Sequence, residues 1–286
     1  MSVRHRLVKL ANGSHSIHSL AEGETFHPVI GPVAEAEALY VRQLDLRRRL
    51  SQHTGEFVIW DVGLGAAANP LTVLSATREI ACSIRLISFD HTLEPLRFAL
   101  GYVDALGYLA GYEERLQTLL QRQRVCFQNG AQSIVWELHV KDFPTLLAES
   151  FASTIPKPHA ILFDAFSPAK NPAMWTEPLF ARLFELLDPQ RPCALPTYSR
   201  STMLRVSLLL AGFFVGAGHA TGEKEETTIA ANTLALINQP LDLQWLQRAG
   251  RSTSAEPLWE PVYRQARLAP STWEKLKAHP QFANPR

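Results

Sequence analysis

The stretch FVIWDVGLGAAANP, Phe57–Pro70, decides the fold class of this 286-residue chain. It opens with an apolar run typical of a buried strand and closes with residues that predict the start of a helix. Between them Asp61, Gly63 and Gly65 form a D-x-G-x-G turn. Glycines let the backbone pass close to a ligand, and a helix N-terminus offers free N–H groups. The stretch therefore predicts a strand–turn–helix unit that binds a small molecule.

The same alternation of strand and helix patterns continues along the chain. Four more strand-like runs are separated by helical patterns: SIRLISFD (83–90), SIVWELHV (133–140), HAILFD (159–164) and PCALPTYS (192–199). Two further runs, 213–220 and 226–238, have no helix between them, so we expect them to pair antiparallel. Repeated β–α units predict a parallel sheet with helices on both faces. The prediction is an α/β, Rossmann-like sheet of seven strands, the arrangement of class I methyltransferases.

The two ends of the chain have different patterns. Residues 6–22 alternate apolar and polar side chains around Asn12-Gly13, which predicts a β-hairpin. Residues 32–54 have helical spacing, with Pro32 as the first helical residue. We therefore predict an N-terminal hairpin and helix extension over 1–54, the main domain over 55–240, and a C-terminal tail packed on that domain over 241–286.

Composition narrows the class of protein. With 46% hydrophobic and 19% charged residues the chain can bury a full core, which excludes a disordered protein. The net charge of +1 excludes a global basic field for nucleic acid. A local cluster remains, and it is either a solvated helix face or a phosphate-binding patch: Arg42, Arg47, Arg48 and Arg49.

Cysteine usage and hydropathy predict the compartment. The three cysteines are far apart and lack metal-ligand spacing. No apolar run of about 18 residues and no signal peptide is present in the sequence. We expect a reduced, cytoplasmic protein that binds neither a membrane nor a metal.

Four acids follow four successive predicted strands: Asp61, Asp90, Asp142 and Asp164. Ligands of open α/β sheets bind beyond the carboxyl ends of the strands, where these acids should meet. Asp90 is placed to accept both hydroxyls of a ribose, and Asp142 either meets an adenine amino group or caps the next helix. The pattern predicts a nucleoside site made of these acids with Gly63 and Gly65.

The charge of that site favours one cofactor. Asp61, directly before the turn, suits a cationic ligand better than a pyrophosphate. S-adenosylmethionine carries a sulfonium and an ammonium and no phosphate, so we predict it as the cofactor.

The run DAFSPAKNPAMW, residues 164–175, resembles a known family motif, D-G-F-x-P-A-K-N-P-x-M-W. The family is the MnmC-like methyltransferases, comprising the methyltransferase domain of the bifunctional tRNA 5-methylaminomethyl-2-thiouridine biosynthesis protein and its stand-alone relatives. The similarity spans roughly Val8 to Asn238. Nine residues match the motif: Asp164, Phe166, Pro168, Ala169, Lys170, Asn171, Pro172, Met174 and Trp175.

The resemblance implies a reaction. The methyl donor is S-adenosylmethionine, and the acceptor is the aminomethyl group of a modified wobble uridine, position 34, in tRNA. Asp164 would be the catalytic base. The substrate-binding residues would be Phe166 and Pro168 beside the uracil, Lys170 on a phosphate, and Asn171. Trp175 is interpreted as a core anchor.

The resemblance also implies a partner, because no flavin oxidase domain follows in this sequence. A separate flavin oxidase acting upstream is therefore expected.

One departure from the family leaves two alternatives open. The family usually has a Lys-Arg pair where this chain reads Glu223, Lys224, Glu225 and Glu226. Fewer cations weaken contacts with phosphate, which normally dominate nucleic-acid affinity. The alternatives are a methyltransferase for a small amine or polyamine, and a non-catalytic relative that binds a nucleoside or RNA.

Overall fold

A computed structural model describes residues 4–222 and 225–283. Its strands, in chain order, are β1 His5–Lys9, β2 His15–Ser19, β3 Glu24–Thr25, β4 Glu56–Val62, β5 Ser83–Asp90, β6 Arg124–Asn129, β7 Gln132–Val140, β8 Ala160–Phe163, β9 Ala194–Thr197, β10 Phe214–Gly218 and β11 Thr227–Ala231.

Helices fill most of the connections. The α-helices are α1 Pro32–Ala36, α2 Leu46–Gln52, α3 Ala68–Ala76, α4 Glu94–Ala99, α5 Val103–Leu106, α6 Glu113–Arg122, α7 Phe143–Ala148, α8 Glu177–Leu186, α9 Thr202–Leu210, α10 Leu243–Arg251, α11 Pro270–Lys277 and α12 Pro280–Ala283. A π-helix covers Glu37–Arg42, and 3-10 turns cover Ser150–Thr154, Pro172–Trp175 and Leu234–Leu236.

The larger sheet has the strand order β10-β11-β9-β8-β4-β5-β7-β6. β4 pairs parallel with β5 and β8, and β5 pairs parallel with β7. The expected antiparallel pair of β10 and β11 is present. The α/β, Rossmann-like fold is therefore confirmed, but the predicted strand number of seven is wrong, because this sheet has eight.

The additional strand is β6, which pairs antiparallel with β7 at the edge of the sheet. A turn at Gly130 makes this hairpin possible. Gly130 has φ +61, and a Cβ there would lie 2.5 Å from the carbonyl oxygen of Arg78. Only glycine fits this backbone conformation and this close approach. Asn129-Gly130 is itself a hairpin signal, but the strand β6 before it was not predicted.

The N-terminal hairpin prediction is confirmed, with Lys9 opposite His15 in β1 and β2. β2 also pairs with the short β3, which the sequence analysis did not predict. The single helix predicted over 32–54 is wrong. It is divided by the π-helix and by a left-handed residue, Asp45 with φ 49, which ends one helical segment and begins α2.

The C-terminal tail contains three helices that were not predicted, α10 to α12. One side chain of this tail, Gln281 of α12, hydrogen-bonds both backbone groups of Val215 in β10. It also donates to the carbonyl of Leu241 at 2.8 Å.

The chain divides into two compact units, neither of them continuous in sequence. The first comprises residues 1–143, 160–164 and 220–225, and the second comprises 144–159, 165–219 and 226–286. Large side chains such as Trp60, Phe89 and Trp136 fill the core of the first unit. The domain boundaries expected from the sequence, at 54/55 and 240/241, stay a prediction.

Candidate active site

The four acids lie at the carboxyl ends of four parallel strands of the larger sheet. Asp61 is the second-last residue of β4, and Asp90 is the last residue of β5. Asp142 lies two residues beyond β7, and Asp164 directly follows β8. The register aligns these ends, because Val62 is opposite both Phe89 and Phe163. This edge is where open α/β sheets bind their ligands.

Both glycines of the turn between β4 and α3 have backbone conformations that other residues rarely adopt. Gly63 has φ 91 and Gly65 has φ 52, both in the region that favours glycine. A Cβ on Gly65 would lie 3.4 Å from the ring of Phe26, so the N-terminal extension lies against this turn.

Asp90 organises the turn. One carboxylate oxygen, Oδ2, accepts a hydrogen bond from the N–H of Gly65 at 2.9 Å, and Oδ1 accepts one from the N–H of Thr92 at 3.1 Å. Burial raises the pKa of the Asp90 carboxyl, against the opposing effect of these N–H groups. Each carboxylate oxygen has a second lone pair, so Asp90 can still accept a hydroxyl.

Asp61 is fully buried. Its Oδ2 accepts a hydrogen bond from Ser88 Oγ at 2.7 Å, and Ser88 in turn accepts one from the indole of Trp136. Burial raises the pKa of Asp61 to about 7, and the nearby Asp164 and Asp90 carboxylates add to the rise. Its Oδ1 is buried and has no hydrogen-bond partner in the described part of the chain.

Asp164 is held by two residues that the sequence analysis missed. Its Oδ2 accepts a hydrogen bond from Asn69 Nδ2 at 2.8 Å and lies 3.5 Å from Nε2 of His27. Asn69 is in the first turn of α3. A polar residue among apolar ones directly after the glycine turn was the signal in the sequence that could have indicated it. His27 precedes Pro28 in the N-terminal extension, and nothing in the local pattern links it to Asp164.

His27 also lies beside a second acid. Its Nδ1 is 3.5 Å from Glu35 Oε1, and both side chains are less than a tenth exposed. Burial alone would lower the pKa of His27, but Asp164 and Glu35 outweigh burial and raise it to about 9. The imidazole is therefore charged at neutral pH.

Asp142 differs from the other three acids because it is exposed. It immediately precedes α7, the position of a helix cap. Both alternatives, the adenine contact and the cap, stay predictions.

Two side-chain hydrogen bonds hold the backbone of the motif loop, residues 165–175. The indole N–H of Trp175 donates to the carbonyl of Phe166 at 2.7 Å, and Tyr198 donates to the carbonyl of Ala165 at 3.0 Å. Trp175 is fully buried, as expected of a core anchor. Phe166, Pro168 and Asn171 are half-buried, whereas Lys170 is exposed.

The arginine cluster is partly neutralised by its own segment. Arg47 lies 3.8 Å from Glu37, and Arg48 pairs with Asp45. Arg49 lies over the ring of Phe57. Arg42, Arg47 and Arg48 are exposed, so a phosphate-binding patch and a solvated face both remain compatible with the structure.

The acidic segment near the last two strands is only partly described. Glu223 and Lys224 lie outside the described residues. Glu226 pairs at 3.0 Å with Arg205, which is buried and also donates to the carbonyl of Thr227. The guanidinium of Arg205 is therefore used in contacts inside its own unit.

No helix in residues 4–222 or 225–283 has the length and apolar character needed to cross a bilayer. Those same residues contain no cluster of three or more His, Cys, Asp or Glu side chains arranged to hold a metal ion.

Comparison with known proteins gives a family and a set of relatives. A family model described as S-adenosyl-L-methionine-dependent methyltransferase matches residues 110–233. The bifunctional tRNA 5-methylaminomethyl-2-thiouridine biosynthesis protein MnmC of Pseudomonas putida is 28% identical over 81% of this chain and 35% of its own length. MnmC of Pseudomonas savastanoi pv. phaseolicola is 30% identical over 75% of this chain and 33% of its own length. The chain thus spans about a third of the curated relatives that it matches.

Solved structures agree on the fold. MNMC2 from Aquifex aeolicus superposes with a TM-score of 0.66 at 23% identity, covering 95% of this chain and 82% of that one. A spermidine synthase in complex with the transition-state analogue AdoDATO gives a TM-score of 0.52 at 11% identity, covering 96% and 85%. The resemblance inferred from residues 164–175 is confirmed.

Proposed function

Since the chain carries an MnmC-like, S-adenosyl-L-methionine-dependent methyltransferase domain, we propose that it methylates the aminomethyl group of a modified wobble uridine in tRNA. The observation that carries this proposal is Asp164. It opens the family motif, directly follows β8, and is held on Oδ2 by Asn69 at 2.8 Å. A carboxylate fixed at the sheet edge is suited to receive a proton from an amine.

The residues at the glycine turn fit S-adenosylmethionine. Asp61 Oδ1 and Asn69 Oδ1 are buried acceptors without a hydrogen-bond partner among the described residues, and an ammonium group would satisfy such atoms. Asp90, a carboxylate beside the Gly65 turn, suits the ribose hydroxyls. We propose Asp61, Gly63, Gly65, Asp90 and Asp142 as the cofactor residues. When bound, this cofactor supplies a methyl group on a sulfonium.

Methyl transfer is an in-line displacement, so the protein mainly positions the two reactants. Asp164 accepts a hydrogen bond from the acceptor amine and takes its proton as the new N–C bond forms and the C–S bond breaks. Phe166 and Pro168 line the uracil, and Asn171 binds it beside them. Lys170, which is exposed, contacts a phosphate of the RNA.

Mass spectrometry of nucleosides tests the acceptor directly. Undermethylated tRNA bearing the aminomethyl group is incubated with the protein and isotope-labelled donor, then digested. We expect one labelled methyl on the wobble nucleoside.

A small amine or polyamine is the second candidate, favoured by the net charge of +1 and by the internal pairing of Arg47 and Arg48. A panel of free amines in the same assay separates the two. Labelled polyamine with unlabelled tRNA would establish the second candidate instead.

Replacing Asp164 by Asn tests the base. The amide keeps the size of the side chain but cannot take a proton, and general-base loss costs about 10²–10⁴ in rate. We expect kcat to fall by that factor while calorimetry shows little change in cofactor affinity. Normal turnover by the variant would show that the carboxylate is structural.

A further inference from the structure

Three side chains from three parts of the first unit form a buried cluster, which we call the carboxylate–histidine cluster: Glu35, His27 and Asp164. His27 lies between the two acids, 3.5 Å from each through its two ring nitrogens. The side chains of Glu35, His27 and Asp164 are 9%, 8% and 17% exposed. Charged groups this well buried are rare unless they are paired.

The backbone at His27 is held in an unfavourable conformation. Its φ of 47 is left-handed, and its position before Pro28 restricts the backbone further. The preceding residue is fixed, because Phe26 N–H donates to Ile17 at 2.8 Å and Phe26 C=O accepts from Ser16 Oγ. Strain of this kind persists where the surroundings over-determine it, and it is common at functional sites.

The cluster contains one cationic group and two acids. The imidazolium carries one positive charge between two acids, with a pKa raised to about 9 by Asp164 and Glu35 in spite of burial. His27 therefore keeps its proton at neutral pH and acts as a fixed cation rather than as a base.

A hydrogen-bond donor and a cation from different elements meet the same oxygen of Asp164. Asn69 Nδ2 approaches Oδ2 from α3, and His27 Nε2 approaches it from the N-terminal extension. A hydrogen bond from one element together with an ion pair from another restricts the rotation of a carboxylate more than the hydrogen bond alone. The remaining oxygen, Oδ1, is thereby given a defined direction.

We propose that His27, oriented by Glu35, is a positioning residue that fixes the Asp164 carboxylate for the acceptor amine. This inference rests on the proposed function of Asp164. It makes the N-terminal extension a part of the active site, because His27 and Glu35 both belong to it. His27 gives up no proton during the reaction.

Turnover by three variants tests the role. His27→Leu removes the cation, His27→Gln replaces it by a neutral N–H group, and Glu35→Gln removes the charge that orients His27. Misplacement of a reacting group by about 1 Å costs about 10² in rate, so we expect a loss of that order in kcat for His27→Leu. His27→Gln should recover part of the lost kcat. The acceptor KM and the cofactor affinity should be unchanged in all three variants.

His18→Leu is the matched control. This histidine belongs to the same extension and hydrogen-bonds Thr25 at 2.9 Å, away from Asp164. Its loss should leave kcat unchanged. Thermal unfolding of every variant separates misfolding from a catalytic effect, and Glu35→Gln serves where His27→Leu fails to fold. Unchanged kcat in folded His27→Leu or Glu35→Gln overturns the proposal.

Nuclear magnetic resonance of the His27 imidazole separates this inference from the proposed function. The pKa of His27 should fall in both Asp164→Asn and Glu35→Gln. If the unaltered protein methylates neither tRNA nor an amine, the proposed function fails. The measured pKa of His27 then decides alone whether His27 is coupled to Asp164. An unchanged His27 pKa in Asp164→Asn then overturns the inference, whereas a lowered one supports it.

Discussion

At the scale of single residues, the site combines carboxylates in different environments. Asp90 is held by backbone N–H groups, Asp61 is buried against Ser88, and Asp164 lies beside a charged histidine. Carboxylates with different surroundings can take different roles, because the surroundings set which form each group prefers.

Asp90→Ala tests the cofactor site. Losing a hydrogen bond to a charged group costs about 1.5–3 kcal/mol, so calorimetry should show weaker binding of S-adenosylmethionine by that amount. Asp104→Ala, at an exposed acid of α5, is the control and should bind normally. Unchanged affinity in Asp90→Ala counts against this site, and tighter binding of NAD than of S-adenosylmethionine would contradict the choice of cofactor.

Asp61 predicts a pH-dependent stability. Its pKa rises from 3.8 to about 7 on folding, so the folded state binds more protons than the unfolded state between these values. Stability is therefore lost as pH rises from 3.8 to 7, by at most about 1.4 kcal/mol per pH unit. Asp61→Asn removes this slope.

Urea unfolding of Asp61→Asn and of the unaltered protein at pH 5 and pH 8 checks the sign. The variant should gain stability relative to the unaltered protein at the higher pH. The opposite trend would show that Asp61 is stabilised as a carboxylate.

At the scale of elements, the turns decide where strands and helices meet. Gly65 connects β4 to α3, and Gly130 connects β6 to β7. Each has a positive φ, but their surroundings differ, because Gly130 faces a backbone carbonyl and Gly65 faces an aromatic ring.

Gly130→Ala and Gly55→Ala form a matched pair. Both glycines have positive φ, but a Cβ at Gly55 meets nothing within 4 Å, whereas at Gly130 it meets the Arg78 carbonyl at 2.5 Å. Positive φ alone costs a non-glycine residue about 1–2 kcal/mol, the loss expected for Gly55→Ala. Gly130→Ala should lose more. Equal losses in urea unfolding would show that the β6–β7 turn relaxes.

At the scale of the whole molecule, charge is nearly balanced. A net charge of +1 leaves recognition of a polyanion to local cations. The exposed arginines of 42–48 and Lys170 are the cations that we assign to this role.

Reversal of Arg47 and Arg48 to Glu tests that assignment. Affinity that depends on a few phosphate contacts falls steeply with salt, with a slope set by the number of phosphates neutralised. We expect a raised KM for tRNA and a shallower salt slope, with unchanged cofactor affinity. Arg264→Glu, at an exposed arginine paired with Glu260, is the control. No effect of the double reversal, together with equal turnover of free amines, favours the small-amine acceptor.

Local patterns were sufficient for most elements. β5 was predicted to the residue, Ser83–Asp90, and the four acids were predicted at the ends of their strands. β6, β3 and the tail helices were missed because their patterns are short or lie at the edges. The π-helix at Glu37–Arg42 was missed because its side chains have ordinary helical spacing.

The sequence by itself determined the parallel α/β class, the placement of four acids at strand ends and the family motif. Alternating β–α units bring the carboxyl ends of parallel strands together, so residues far apart in sequence can be placed without coordinates. Only the tertiary structure decided that Asp61 is buried, and that Asn69 and His27 meet Asp164. Asn69 and Asp164 are 95 residues apart, and such contacts depend on how helices and loops pack, which local periodicity does not encode.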